Sequence, residues 1–460
     1  MSELQDQLAV LRERMALVVQ ACDKKYGKPQ NPYSKEFLRP SPQSFQIQEW
    51  FPGEEIETKQ GKHFETETLY ARHRRHGSAE LSELAELPGD LLETLSNGTI
   101  RNVPPQEWAF LDTETTGIQG GAGICPFLVG LGYFAGDDFH MVQYFIRDFD
   151  EEPSMLLALG ELLRQFELVV TYNGAAFDIP LLETRFTLSR LDSPFREMSG
   201  ANASPTRSAS AIARSLKEGR SHKDMSGANA SPTGRSHKEM SHFDFLFSAR
   251  RLWRNGHGSC RLVALEREII SFARGPDVPG SMIPRAYFEY LQRRPSAAFR
   301  SIFTHNVHDV VSLAALTVHG CDRVTLEPAA LDDPLDLYSL GRVWEASQDW
   351  RRSIRLYEMA LNGGVSEPMR QKVLENLAVI YRRAGEHERS LEVCTELMQY
   401  PEFSMVGYQV AAIYYERVAR DLDAALRVLE EGLARTETKR WKMLLQARWD
   451  RLQQKIFRYD

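Results

Sequence analysis

The chain is poor in the residues that staple, anchor or globally charge a protein. Five cysteines (Cys22, Cys125, Cys260, Cys321 and Cys394) are scattered through 460 residues, odd in number and nowhere spaced as CxxC. That excludes a cysteine zinc site and reads as thiols kept reduced in a cytoplasm. No apolar run approaches the length of a membrane span. The opening Met1-Ser2-Glu3-Leu4-Gln5-Asp6 is polar and acidic, which is not a signal peptide. A cytoplasmic protein without membrane contact is therefore expected. Positive charge is also short. Lys and Arg number 56 against 63 Asp and Glu, a formal net charge of −7. There is no global attraction to nucleic acid, so any such binding needs a local basic patch or a bound metal. The loop Gly120-Gly121-Ala122-Gly123 lacks the lysine of a P-loop and precedes a strand pattern, so it reads as a turn.

What is present is a globular composition, 42% hydrophobic and 26% charged, long enough for two or three domains. The stretch Phe110-Leu111-Asp112-Thr113-Glu114-Thr115 stands out. An apolar run leads into two carboxylates one residue apart, and a strand's period of two puts both on one face. Adjacent acids repel, and a fold tolerates them best around a cation. Oxygen ligands with no Cys or His nearby suit Mg²⁺ or Mn²⁺. Alone, the tripeptide also fits a solvated strand end.

Around it the chain reads in order. Leu4, Leu8, Leu11, Met15 and Val18 mark an amphipathic helix over residues 2 to 21, and Pro29, Pro32, Pro40 and Pro42 mark an extended linker. Trp50 to Leu69 reads as a small hairpin ahead of the main domain. Three strands follow, at Trp108 onward, Phe127 to Phe134 and Phe139 to Ile146. A helix pattern from Pro153 to Phe166 and a strand from Leu168 to Tyr172 come next. Strand, strand, strand, helix, strand is the opening order of an RNase H-like fold. The chain then turns at Asn173-Gly174 into a helix carrying Asp178 in its first turn, a position a helix dipole favours by itself.

Three motifs together are more specific. Asp112-Thr113-Glu114, Asn173-Gly174-x-x-Phe177-Asp178-x-Pro180-Leu181-Leu182 and His305-Asn306-x-x-Asp309 resemble the exonuclease motifs of the DEDD superfamily. Phe127 to Phe134, Thr184-Arg185-Phe186, Ala249 to Arg254 and Ile283-Pro284-x-x-Tyr287-Phe288-x-Tyr290-Leu291 narrow the resemblance to bacterial YprB-like RNase H-like domain proteins, some of which carry TPR-like C-termini. The resemblance covers roughly residues 105 to 320. It implies an α/β RNase H-like (DnaQ-like exonuclease) domain with a mixed central sheet. Asp112, Glu114, Asp178 and Asp309 would hold two divalent ions, and His305 would be the general base. In the superfamily that base is a Tyr four residues before the last Asp or a His five before. Here a His stands at the tyrosine spacing and Thr304 at the other. The motif residues Thr113, Asn173 and Phe177 are candidate substrate contacts. His308 points away from this helix face.

One region departs from that pattern. Met198 to Thr206 recurs word for word as Met225 to Thr233, and Gly219 to Ser226 recurs as Gly234 to Ser241 with one Asp changed to Glu. This duplication, residues 196–241, is Ser-, Gly- and Ala-rich and is expected to be a disordered surface insertion, with His222 and His237 inside it. Asp244 then reads as a carboxylate entering a helix, a cap or a support for the site. Arg250, Arg251, Trp253 and Arg254 mix cations with an aromatic and are the candidate strand-binding patch, or simply a solvated helix face.

Residues 330–460 differ in kind. Leu340-Gly341-x-x-Trp344 with Ser353, Tyr357 and Ala360 resembles a TPR helix pair, repeated around Leu377 to Leu397 and more loosely from Ala411 to Leu433. Such an array offers a groove for a protein partner, or caps the nuclease domain. The expected divisions are thus residues 1–104, 105–320 and 330–460. The expected activity is metal-dependent phosphodiester hydrolysis, as a 3′-5′ exonuclease on single-stranded DNA or RNA. The alternatives are a catalytically silent nucleic-acid-binding module and a TPR adaptor.

Overall fold

The computed structural model describes residues 47–117, 123–195, 240–292 and 296–457. The expected N-terminal helix and linker, most of the glycine loop and residues 196–239 of the duplicated insertion, His222 and His237 among them, lie outside the described residues; its last residues, Met240 and Ser241, are described, Met240 being buried. The chain divides into two compact units. The first comprises residues up to Gly89, Val103–Leu246 and Leu265–Val318. The second comprises Asp90–Asn102, Phe247–Ala264 and His319–Asp460.

The first unit is built on strands β1 (Glu54–Thr58), β2 (Gly61–Tyr70), β5 (Trp108–Thr115), β6 (Pro126–Ala135), β7 (Asp138–Phe145), β8 (Leu168–Thr171) and β9 (Ser241–Asp244). A separate two-stranded ribbon pairs β3 (Arg75–His76) with β4 (Ala79–Glu80). The seven-stranded sheet has the order β1-β2-β7-β6-β5-β8-β9. β8 and β9 run parallel to β5, and the other neighbouring strands pair antiparallel. Parallel neighbours need a crossover, and helices α1 (Glu152–Leu163) and α2 (Asp178–Leu188) lie in the two connections. β5 is central because it is apolar on both faces up to Leu111: Trp108, Ala109, Phe110 and Leu111 are all buried.

Two expectations change here. The hairpin at 50–69 is not a separate element, because β2 pairs with β7 along Phe64 to Tyr70 and extends the sheet. Ser241–Asp244 adds a strand against β8 that was not expected, and Asp244 at its end also enters the next helix as expected, its carboxylate accepting from Leu246 N. In chain order come α3 (Phe245–Leu252), which from Phe247 belongs to the second unit, then α4 (Leu262–Glu268), α5 (Ile283–Leu291) and α6 (Ala297–Thr325), whose residues up to Val318 belong to the first unit. Glycines in β6 explain the place of α6. A Cβ on Gly130 would lie 2.3 Å from Asn306 Oδ1, and one on Gly132 would lie 2.7 Å from Val310 Cγ1. Only bare backbone at these two positions lets α6 press onto the sheet. Gly130 sits opposite Asp112 in the β5–β6 register, so the same close approach brings α6 over the acidic end of β5.

The second unit is helical. Its successive pairs are α7 (Pro334–Ala346) with α8 (Trp350–Asn362), α9 (Glu367–Ala384) with α10 (His387–Gln399), and α11 (Met405–Tyr414) with α12 (Leu422–Arg435). α13 (Lys439–Ile456) follows them. The first two pairs repeat one contact. Ser353 Oγ donates to Gly341 O at 2.8 Å, and Ser390 Oγ donates to Ala378 O at 2.7 Å. Small residues let the helices cross closely: a Cβ on Gly341 would meet the Tyr357 ring at 2.7 Å.

Candidate active site

β5 alternates Asp112, Thr113 and Glu114, so the two acids face α6 and the hydroxyl faces the other way. Asp112 Oδ2 accepts from Asn306 Nδ2 at 2.9 Å, and the Asn306 carbonyl oxygen is held by Gln143 Nε2 at 2.9 Å. Asn306 is fully buried, so Asp112 is oriented by a fixed amide. Thr113 Oγ1 donates to Asp178 Oδ1 at 2.5 Å. Thr113 thereby ties the strand to the first residue of α2.

The turn ahead of Asp178 is set by Asn173, whose φ of 68° is left-handed, and by Gly174, whose Cβ would meet Thr171 Oγ1 at 2.4 Å. Asp244, at the end of β9, pins this turn. Its carboxylate accepts from Asn173 N at 2.8 Å, Ala175 N at 3.2 Å and Leu246 N at 3.1 Å. Asp244 thus supports the site through backbone, and Asn173 shapes the turn. Phe177 is exposed beside Asp178, at 58%.

From α6, His305 and Asp309 face the acids, one turn apart. His305 Nδ1 lies 2.8 Å from Asp277 Oδ2, while Nε2 lies 3.5 Å from Asp309 Oδ2 and 3.9 Å from Glu114 Oε1. With Asp277 on Nδ1, the imidazole turns Nε2 toward the carboxylates. His308 packs instead against Phe272 and His76.

The electrostatics are those of crowded acids. Burial, followed by the charges of Asp309 and Asp178, pushes Asp112 well above the carboxylate range. Burial and the charges of Asp112, Asp309, Asp178 and Asp277 do the same to Glu114. Burial lifts Asp178 to about 6, against the hydrogen bond from Thr113. Asp277 is held at about 2: burial opposes this, and the hydrogen bond and charge of His305 outweigh it. His305 is raised, its burial being overcome by Asp277 and Asp309.

Three residues of the site escaped the sequence reading. Arg274 is 4% exposed and bonds Glu266 through two contacts, at 2.5 and 2.7 Å. It also reaches Asp277 at 3.0 Å and makes a short ion pair with Asp309. The signal was faint: Arg274-Gly-Pro-Asp277 interrupts two helical patterns in a Gly/Pro loop, with its cation and acid three apart.

The residues of the expected strand-binding patch fall outside the first unit. Arg250, Arg251, Trp253 and Arg254 belong to the second unit. Trp253 is 1% exposed, buried like Ala249 and Leu252, so its ring is not open to stack on a base. Arg251 Nη1 donates to Leu95 O at 3.2 Å. Arg250 and Arg254 are exposed.

The donor set fits a hard divalent ion in its chemistry: Asp112, Glu114, Asp178 and Asp309 offer oxygen alone, and their crowding is what a dication relieves. Among the described residues, no three His, Cys, Asp or Glu side chains already converge as one ligand set. Instead three of the four acids have another partner, with Arg274 on Asp309, Thr113 on Asp178 and Asn306 on Asp112, while Glu114 has His305 Nε2 at 3.9 Å.

Residues 109–320 match the RNase H superfamily model. The match contains Asp112, Glu114, Asp178, His305 and Asp309, and the first unit's mixed sheet flanked by helices is RNase H-like. Beyond this domain, the chain is 25% identical over 378 residues to the uncharacterized protein YprB of Bacillus subtilis strain 168. That alignment covers 80% of this chain and 79% of that protein. No described helix is long and apolar enough to cross a membrane.

Proposed function

We propose that the RNase H-like domain is a metal-dependent nuclease, a DEDD-type 3′-5′ exonuclease acting on single-stranded DNA or RNA. The observation that carries this reading is His305 Nε2, turned by Asp277 and lying 3.5 Å from Asp309 of α6 and 3.9 Å from Glu114 of β5, with Asp178 of α2 tied to the same strand through Thr113. Two divalent ions, Mg²⁺ or Mn²⁺, held by Asp112, Glu114, Asp178 and Asp309, would supply Lewis-acid polarisation of the phosphoryl oxygen and acidify water there. His305 takes the attacking water's proton at Nε2, while Asp277 holds Nδ1–H and steadies the imidazolium. Water oxygen bonds to phosphorus, the bond to the 3′-oxygen breaks, and that oxygen takes a proton from solvent. Asn306 keeps Asp112 turned toward α6, and Thr113, from the other side of β5, holds Asp178 against the strand. Phe177, exposed beside Asp178, would stack on the terminal base. The helix pairs of the second unit, read as TPR-like, would offer their groove to a protein partner.

The test is a time course on 5′-labelled single-stranded DNA and RNA with Mg²⁺, Mn²⁺ or chelator. A metal-dependent ladder, lost in Asp112→Ala and Asp309→Ala, is expected. Folded protein that cleaves neither polymer would sink the reading. The ion pair between Arg274 and Asp309 favours one alternative, a silent nucleic-acid-binding module whose cation is a guanidinium. Under that reading Mn²⁺ leaves the melting temperature unchanged, whereas a metal enzyme is stabilised.

A further inference from the structure

The second unit contains a cavity of about 660 Å³ whose lining includes Arg251, Arg342, Arg383, Trp350, Glu345 and Asn376. Arg251 comes from α3, Arg342 and Glu345 from α7, Trp350 from the start of α8, and Asn376 and Arg383 from α9. Its charge is unbalanced. Glu345 Oε2 already accepts from the Tyr357 hydroxyl at 2.7 Å and from Asn376 Nδ2 at 3.3 Å. Among the described residues, none of the three guanidiniums is in a salt bridge. Other arginines of this unit are paired: Arg323 with Asp336, Arg370 with Glu396, Arg389 with Glu358 and Arg448 with Glu416.

Arg251 is fixed without being neutralised. Its partner is the Leu95 carbonyl, and burial, followed by the charge of Arg342, depresses its pKa. Like charges held together in a concavity raise the local potential and draw an anion in. The ligand class follows from the groups. Guanidinium forks match phosphate oxygens bidentately. The Arg383 guanidinium lies 5.5 Å from the centroid of the Trp350 ring, so a cation and an aromatic platform are adjacent. Cations for the backbone beside a ring for the bases is the arrangement that holds single strands without reading sequence. An acidic peptide would use the cations and leave the indole idle. The volume suits a nucleotide-sized ligand.

We propose that this cavity is a second nucleic-acid site, holding the phosphodiester backbone of a single strand without metal. Its choice of polymer rests on the nuclease reading of the first unit. The experiment is fluorescence anisotropy of a labelled single-stranded oligonucleotide, DNA and RNA in turn, with the full chain in chelator across a salt series. Arg342→Glu/Arg383→Glu is the variant, because both side chains are exposed; Arg251 is left to hold Leu95. Circular dichroism checks that the variant folds. Binding without metal is expected. The slope of log affinity against log salt should fall by about 0.7 for each lost phosphate contact, so by about 1.4 in the variant. Equal affinity and equal slope in wild type and variant would overturn the site. So would displacement of the oligonucleotide by polyglutamate as effectively as by unlabelled strand, since the site would then be one for acidic peptides. Cleavage measured in parallel separates the two proposals. Metal-dependent cleavage with variant-insensitive binding sinks this site alone, and variant-sensitive binding without cleavage sinks the nuclease alone.

Discussion

Arg274 in the first unit and Arg342 with Arg383 in the second are the same chemical group in opposite circumstances. Arg274 is 4% exposed and surrounded by Glu266, Asp277 and Asp309. The other two stand exposed at a cavity with no carboxylate paired to them among the described residues. A buried charge must be compensated inside the protein, so the first unit surrounds its cation with acids and its acids with donors. An exposed charge is solvated at little cost, so the second unit leaves its cations open to an external anion. The acids of the first unit are therefore sensitive to whichever cation is present, and the cavity is sensitive to salt.

The comparison breaks first at the acids. Asp112→Ala should lower metal-dependent cleavage by more than ~100-fold, beyond the loss expected for a residue that only orients a ligand. The readout is nucleotide release under single-turnover conditions, and a loss under tenfold would remove Asp112 from the site. Next in size is Arg274→Leu. It strands Glu266 and part of Asp309 in a buried place and should cost about 3–5 kcal/mol in urea unfolding.

Asp178→Asn tests the acids with the opposite sign. A carboxyl whose folded value is about 6 resists ionisation in the metal-free fold. Its contribution to stability is present below the ordinary aspartate value and is lost as pH rises through about 6. The amide should therefore raise metal-free stability at pH 7.5 by about 1–3 kcal/mol, and the gain should vanish near pH 4. Thermal unfolding in chelator at both pH values reads it; an equal gain at both would mean that ionisation is not the cause. The smallest effect is the foil to Arg274: Arg342→Glu/Arg383→Glu should shift stability by less than about 0.5 kcal/mol per residue in the same urea titration, as surface changes do. A loss as large as that of Arg274→Leu would erase the distinction between the two circumstances.

The legible parts of the fold were those whose signal is local. β5, β6 and β7 declare themselves as apolar runs broken at Gly136-Asp137, and the helix pairs of the second unit through small residues such as Gly341, Ser353 and Ser390 at crossings. β9 was missed because four residues carry too little periodicity to separate strand from helix entry. The β1–β2 hairpin was seen, but its pairing with β7 joins residues some seventy positions apart, which no local pattern reports. Trp253 was misread because an aromatic among arginines looks like a binding patch from composition alone, whereas burial depends on what packs over it.

For the site the division is similar. Asp112, Glu114, Asp178, His305 and Asp309 were readable because their spacing and neighbours form motifs. Glu266, Arg274 and Asp277 were not, because an ion pair between a helix and a loop is fixed by distance in space. By itself the sequence determined which residues carry charge and where β5, β6, β7 and the helix pairs of the second unit lie. Only the tertiary structure decided that Arg274 stands on Asp309, that Asp277 turns His305 Nε2 toward the acids, and that Arg251, Arg342 and Arg383 share one cavity. The physical reason is range. Propensity and periodicity act within a few residues of chain, whereas charge compensation and packing act across whatever the fold brings within a few ångströms.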